Sequence, residues 1–128
     1  MLELAKNASS TEPIRIKDIA DSHGIPSRFL VQILLQLKGA GIVKSIRGAA
    51  GGYRLAIKPE GITLFQVMNV IEGKQAIESN LKELTPISRV LNETWNSLLD
   101  SNIQSLKDIT FADLMEKVKS QPENMYYI

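Results

Sequence analysis

Between residues 15 and 57, two short segments with apolar stripes meet at a glycine turn, and two alternating segments follow around a second, glycine-rich turn. Arg15-Ile16-Lys17-Asp18-Ile19-Ala20-Asp21 places Ile16, Ile19 and Ala20 on one helical face. In His23-Gly24-Ile25-Pro26, the glycine can take the left-handed conformation that closes a helix, and the proline suits the entry of the next one. From Ser27 to Lys38, Leu30, Ile33, Leu34 and Leu37 recur at intervals of three and four, the pattern of a second helix. Ile42 to Ile46 and Tyr53 to Ile57 alternate as strands around Gly48-Ala49-Ala50-Gly51-Gly52, so 42–57 reads as a β-hairpin. A small residue such as Ala20 lets two helices cross closely, and Gly24 tolerates the positive φ of a tight turn. The order helix, turn, helix, hairpin is that of a winged helix–turn–helix. The competing reading, a plain αα-hairpin in a helical core, gives the attached hairpin no role.

The flanking sequence reads as helix and loop. Leu2, Leu4 and Ala5 belong to an opening helix, broken by the loop Asn7 to Pro13. After Pro59-Glu60-Gly61, Thr63 and Gln66 form a capping-box signature ahead of a helix burying Phe65, Val67, Met68 and Ile71. Residues 74–85 are polar and weakly patterned. From Pro86 a long amphipathic helix carries Ile87, Val90, Leu91, Trp95, Leu98 and Leu99 and is expected to fade between Asp100 and Ser105. Thr110 with Asp113 caps a last short helix, and Gln121 to Ile128 reads as a tail. The expected fold is mainly α with a small β-hairpin. A head at 1–58 and a helical body at 59–128 are expected to pack as one unit.

Composition narrows what such a chain can do. Its 128 residues, 44% hydrophobic, suffice for one domain with a core. No run approaches the roughly 18 apolar residues of a membrane span. The opening residues lack a basic region followed by an apolar stretch, so a cytoplasmic location without membrane contact is expected. With no cysteine, disulfides, thiol catalysis and thiolate-bound metal clusters are excluded. The net charge of +1 conceals an uneven distribution: nine Lys/Arg against four Asp/Glu in 1–58, six against ten in 59–128. No acid occurs between Asp21 and Glu60, a pattern suited to a polyanion-binding head on an association or sensing body.

Candidate binding residues follow from this order. On the second helix, Ser27, Arg28, Val31, Gln32 and Gln36 are not needed by the core. Arg28 can reach guanine or a phosphate, Gln32 can pair with adenine, and Val31 can meet a thymine methyl. Ser27 and the first-turn amides suit a phosphate. In the hairpin, Arg47 precedes a flexible tip containing Gly48, Gly51 and Gly52, and can enter a narrow minor groove. Lys44, Tyr53 and Arg54 flank the tip, the two cations as phosphate contacts. The same glycines lack the Walker lysine–hydroxyl pair and the strand–glycines–helix order, so nucleotide binding is disfavoured. His23 has no second histidine or cysteine to partner it and reads as a surface or phosphate-contacting residue. Glu78 and Glu83 read as solvated, and Trp95 as core or dimer seam. No nucleophile–base pair or metal set can be assembled, so an enzyme is not expected.

At this point the chain resembles a known family. Ile19-Ala20, Gly24-Ile25-Pro26, Phe29-Leu30, Gln32-Ile33-Leu34, Ala40-Gly41-Ile42-Val43 and Arg47-Gly48 through Gly51-Gly52-Tyr53-Arg54-Leu55 are similar to the winged helix–turn–helix of bacterial regulators that include IscR, NsrR and CymR. Val70-Ile71-Glu72-Gly73 and Asp108-Ile109-Thr110-Phe111-Ala112-Asp113-Leu114 follow the same pattern. The resemblance implies a homodimer joined by the long helix, through Ile87, Val90, Leu91, Trp95, Leu98 and Leu99. Its two heads would read a palindromic operator in double-stranded DNA, usually to repress. Relatives usually open further upstream with basic and aromatic residues, so this chain is expected to begin inside the first helix. Where Val31 stands, relatives often carry an acid or other polar residue. The iron–sulfur members place cysteine ligands between the fourth helix and the long one, where this chain has none. Thr85 and Ser88 stand at about the positions of a ligand cysteine and a nearby histidine, and hydroxyls cannot replace thiolates on a cluster. No cofactor or metal is therefore expected, and the resemblance implies a small-molecule effector or a sulfur-metabolism enzyme as the signal, acting near 72–85. The alternative is an interaction module whose basic surface binds protein carboxylates and has no specific DNA target.

Overall fold

The computed structural model describes residues 1–72 and 85–121. Helix α1 (Leu2–Lys6) leads through a loop to α2 (Ile16–His23) and α3 (Ser27–Gly39), which are followed by the hairpin β1 (Val43–Ile46) and β2 (Gly52–Leu55). A 3₁₀ turn at Pro59–Gly61 precedes α4 (Leu64–Glu72), the long α5 (Pro86–Asp108) and α6 (Phe111–Lys119). The fold is mainly helical with one two-stranded antiparallel hairpin.

The turn between α2 and α3 works through Gly24, whose φ of 62° and ψ of 32° are left-handed. Its neighbour Ile25 donates its N–H back to the Ala20 carbonyl at 3.0 Å, which closes the helix end. Ala20 is itself buried, and α2 and α3 pack against each other there. Helix α3 buries Leu30, Leu34 and Leu37, while Ile33 is only half-buried.

In the hairpin, Val43 pairs with Leu55, Lys44 with Arg54, Ser45 with Tyr53 and Ile46 with Gly52. Each strand has four residues where the alternation predicts five: β1 omits Ile42, and β2 starts at Gly52 and leaves out Ala56 and Ile57. Ile42 is nevertheless buried, and the Ala56 N–H bonds its carbonyl at 2.8 Å. The alternation also misses a third contact: Ile14 exchanges both backbone hydrogen bonds with Tyr53, at 2.9 and 2.8 Å.

One apolar cluster runs from α1 to α6. Leu4, Ala5, Ile19, Leu34, Leu37, Ile42, Val43, Ile62, Val67, Phe111 and Met115 are all buried in it. The connection is made by backbone as well, because the Leu64 and Phe111 N–H groups donate to the carbonyls of Ile109 and Ile62, both at 2.9 Å. In α4 only Val67 is fully buried; Phe65, Met68 and Ile71 are half-exposed. Two capping boxes fall where the sequence places them. Thr63 and Gln66 bond reciprocally at 2.9 and 3.2 Å, and Thr110 and Asp113 at 3.1 and 3.0 Å. The Thr110 backbone N–H, more than the other contacts, holds the Asp113 carboxyl below its ordinary pKa.

Helix α5 corrects the expected boundary. It continues without a break to Asp108 instead of fading between Asp100 and Ser105. Beyond Asp100, Ile103 and Leu106 continue a half-buried stripe with Leu99, α5 packs on α4, and the Lys107 ammonium lies 4.9 Å from the Phe65 ring centroid. The polar run 100–102 faces solvent and does not end the helix. The weakly patterned stretch at 74–84 and the tail from 122 lie outside the described residues, as do Glu78 and Glu83.

Candidate nucleic-acid interface

The α3 core stripe fixes what that helix shows outward. With Leu30, Leu34 and Leu37 inward, the 3.6-residue period turns Arg28, Gln32 and Leu35 to the opposite side, flanked by Val31 and Gln36. Ser27, Arg28, Val31, Gln32 and Gln36 are all exposed. Sequence reasoning passed over Leu35, 53% exposed on the outward face, and Phe29, 57% exposed at its flank. Their spacing carries the signal, since both fall outside the 30–34–37 stripe.

The hairpin divides its predicted residues into two groups. Lys44, Arg47 and Gly48 are exposed, and among the described residues neither Lys44, Arg47 nor Arg28 pairs with a carboxylate. Gly51 and Gly52 are half-buried. A Cβ on Gly52 would collide with the Ile14 carbonyl, so this glycine serves a close backbone approach.

Two residues depart from the expected contacts. Tyr53 is only 9% exposed and belongs to the core, because the period-two alternation turns it to the side of Val43. Arg54 lies on the other side but is half-buried, and its Nη2 donates to the Ser10 carbonyl at 2.9 Å. It ties the hairpin to the N-terminal loop, and a phosphate would have to compete for that nitrogen.

A cation that the sequence left unassigned takes part in the wing. Arg15 Nη2 donates to the Ala49 carbonyl at the hairpin tip, at 2.6 Å. A separation of 34 positions leaves no local pattern to reveal the contact. His23, expected to have no ligand partner, lies 2.9 Å from a Glu3 carboxylate oxygen and links α1 to the end of α2.

Helix α5 has no buried residue. Ile87, Val90, Leu91, Trp95 and Leu98 are exposed by 76, 62, 64, 51 and 60%, and their spacing forms a single stripe. Leu99 is half-buried and belongs to the separate stripe with Ile103 and Leu106. A continuous apolar strip of this kind costs solvation unless something covers it.

The comparisons with known proteins bear on the family and the fold. The family model described as "Rrf2: Iron-dependent Transcriptional regulator" matches residues 1–117. The HTH-type transcriptional regulator CymR of Bacillus subtilis is 35% identical over 129 residues, covering 100% of this chain and 91% of the relative. IscR of Aliivibrio salmonicida is 36% identical over 118 residues, covering 90% and 70%. Among solved structures, "T. potens IscR" superposes with a TM-score of 0.77 at 31% identity, over 98% of this chain and 87% of that one. The structure titled as CymR, the global cysteine regulator of B. subtilis, superposes with a TM-score of 0.78 at 34% identity, over 91% and 87%.

The iron in the family's description was tested against the side chains present. The whole chain has no cysteine and one histidine, which is paired with Glu3. Among the described residues no three His, Cys, Asp or Glu side chains converge. Thr85 and Ser88 cap α5 reciprocally: Thr85 Oγ1 accepts the Ser88 N–H at 3.1 Å, and Ser88 Oγ accepts the Thr85 N–H at 3.2 Å. Hydroxyls so used, and too hard for the purpose, do not fit an iron–sulfur cluster. Among the described residues no helix is long and apolar enough to cross a membrane. In sequence, in fold and in the order of its elements, this chain belongs to the Rrf2 family of DNA-binding transcriptional regulators.

Proposed function

We propose that the chain acts as a homodimeric repressor on a palindromic operator, without an iron–sulfur cluster. The observation that carries this reading is the exposed stripe from Ile87 to Leu98 on a helix that meets its own chain only with half-buried side chains. A second copy presenting the same stripe removes both from water, and twofold pairing is the commonest way to do so. Two heads related by a twofold axis then meet two half-sites, which makes the operator a palindrome.

Each head docks through α3 and the hairpin. Arg28 and Gln32 carry donors suited to guanine and adenine edges, and the apolar Val31 suits a thymine methyl. Ser27 and the first-turn amides of α3, which has no side-chain cap, suit a phosphate. Arg47 enters the minor groove with Gly48 beside it, and Lys44 contacts the backbone. Tyr53, Gly51 and Gly52 support the wing from within, and Arg54 braces it against Ser10. Residues 1–58 thus form the reading head, and 59–128 supply the dimer seam and the response to a small molecule or partner enzyme.

Selection of bound fragments from the sheared genome of the source organism, with Arg47→Ala as control, tests the reading. A few enriched fragments sharing a palindrome, and lost in the control, are expected. Recovery without sequence preference would overturn it in favour of a winged helix that binds protein. For the repressor role, a reporter behind an enriched fragment is expected to fall when the chain is expressed.

A further inference from the structure

We infer that Arg15 is a positioning residue for the wing, holding the hairpin tip in the geometry that presents Arg47. The inference rests on the proposed DNA-binding role of the wing and adds a residue to it. Three contacts place the 14–15 segment along the hairpin. Ile14 and Tyr53 exchange both backbone hydrogen bonds. Gly52 lies so close that a Cβ there would strike the Ile14 carbonyl and crowd the Arg15 nitrogen. The Arg15 side chain then reaches past this seam to the Ala49 carbonyl, 2.6 Å from Nη2.

Arg15 is also the residue from which α2 starts. Its backbone is extended, with φ −74° and ψ 143°, and its carbonyl accepts the Ile19 N–H at 3.3 Å. The first helix of the helix–turn–helix and the wing tip are therefore joined through one side chain. The tip itself is held internally by the Gly51 N–H on the Gly48 carbonyl at 3.0 Å, inside a run of glycine and alanine that resists little motion.

Two physical consequences follow for a polyanion. The guanidinium on Ala49 offsets the negative end of that peptide unit and adds positive charge beside the tip. A tip ordered before contact also spares part of the ordering cost of binding. Arg15 acts in this account through the tip and Arg47, without its own contact to a base.

The test is a double-mutant cycle of Arg15→Met and Arg47→Ala on one enriched DNA fragment, with amide exchange of residues 47–52 measured on the free full chain. Arg15→Met is expected to weaken binding about fivefold, on the scale of one exposed charge-assisted hydrogen bond, and to add no further loss when Arg47 is already Ala. The Gly51 amide is expected to exchange faster in Arg15→Met while the melting temperature falls by no more than about 5 °C, the scale of one lost hydrogen bond in a chain of this size. Equal losses in both Arg47 backgrounds would overturn the inference, because Arg15 would then act as an independent charge. Unchanged exchange at 47–52 would overturn it as well. Should the wild-type chain select no DNA, the functional reading fails, and the exchange measurement still decides whether Arg15 holds the tip.

Discussion

Helices α3 and α5 are both amphipathic, and they spend their apolar faces differently. Helix α3 buries Leu30, Leu34 and Leu37 within its own chain and turns Arg28, Gln32 and Gln36 to solvent. Helix α5 has its broadest apolar stripe, Ile87 to Leu98, in solvent, and meets its own chain with the half-buried stripe of Leu99, Ile103 and Leu106. The outward face of α3 is mixed, with its polar side chains beside the exposed Val31 and Leu35. The outward face of α5 is apolar, and on the proposed reading a second copy removes it from water. Position on the fold, and not hydrophobicity alone, separates the residues that stabilise the single chain from those assigned to the proposed dimer seam.

Substitutions that shorten an apolar side chain should separate the two helices most clearly. Leu37, 1% exposed, cut to alanine should cost about 3 kcal/mol of unfolding free energy, the usual transfer-plus-cavity penalty. Leu91→Ala, at 64% exposure, should leave the stability of a dilute, dissociated chain within about 0.5 kcal/mol, as measured by urea unfolding. A large loss at Leu91 in the monomer would erase the contrast.

The second comparison is within the hairpin. Arg47→Ala should weaken binding to a selected fragment by roughly 1–3 kcal/mol and relax its sequence preference, as expected for a residue inserted in a groove. Lys44→Ala should lower affinity for all sequences alike and reduce the slope of log affinity against log salt by about one, read from titrations at several salt concentrations. Identical behaviour of the two would leave no distinction between groove and backbone contact.

Smaller effects sharpen the account of how α5 is set in place. Thr85→Ala removes the oxygen that accepts the Ser88 N–H and should cost about 1 kcal/mol, seen as loss of helicity in the first turn of α5. The smallest effect concerns Asp113. Its folded pKa lies below the ordinary value of 3.8, so the cap stabilises the fold fully above that value. This contribution fades as pH falls through the lower folded pKa, and Asp113→Asn should flatten that acidic limb of the stability curve. An unchanged limb would assign the acid sensitivity to other carboxylates.

Much of the fold is legible because its determinants are local. The Gly24 turn, the 30–34–37 stripe and the two capping boxes at Thr63 and Thr110 each depend on residues within a few positions of one another. The helix–turn–helix and hairpin follow from such signals in order. The site is less legible where it depends on chain crossings. Alternation marks one face of β2, yet nothing in it tells that Tyr53 will meet Ile14 and become core. Arg54 reads as a free cation until Ser10, 44 residues away, is folded against it. The Arg15–Ala49 and His23–Glu3 contacts are equally remote in sequence. The end of α5 is hidden for a related reason: a polar run looks like a terminus, but packing on α4 accompanies the helix on to Asp108.

The central claim is that the exposed stripe of α5 joins two copies and so sets two reading heads on one palindrome. Sedimentation velocity of the wild-type chain beside Leu91→Glu and Leu98→Glu, with and without a selected fragment, tests it directly. The wild type should sediment at twice the chain mass, and each glutamate variant at the mass of a single, folded chain that has lost most of its affinity for the palindrome. A wild-type chain that is monomeric at micromolar concentration, or glutamate variants that remain dimeric and bind as before, would contradict it.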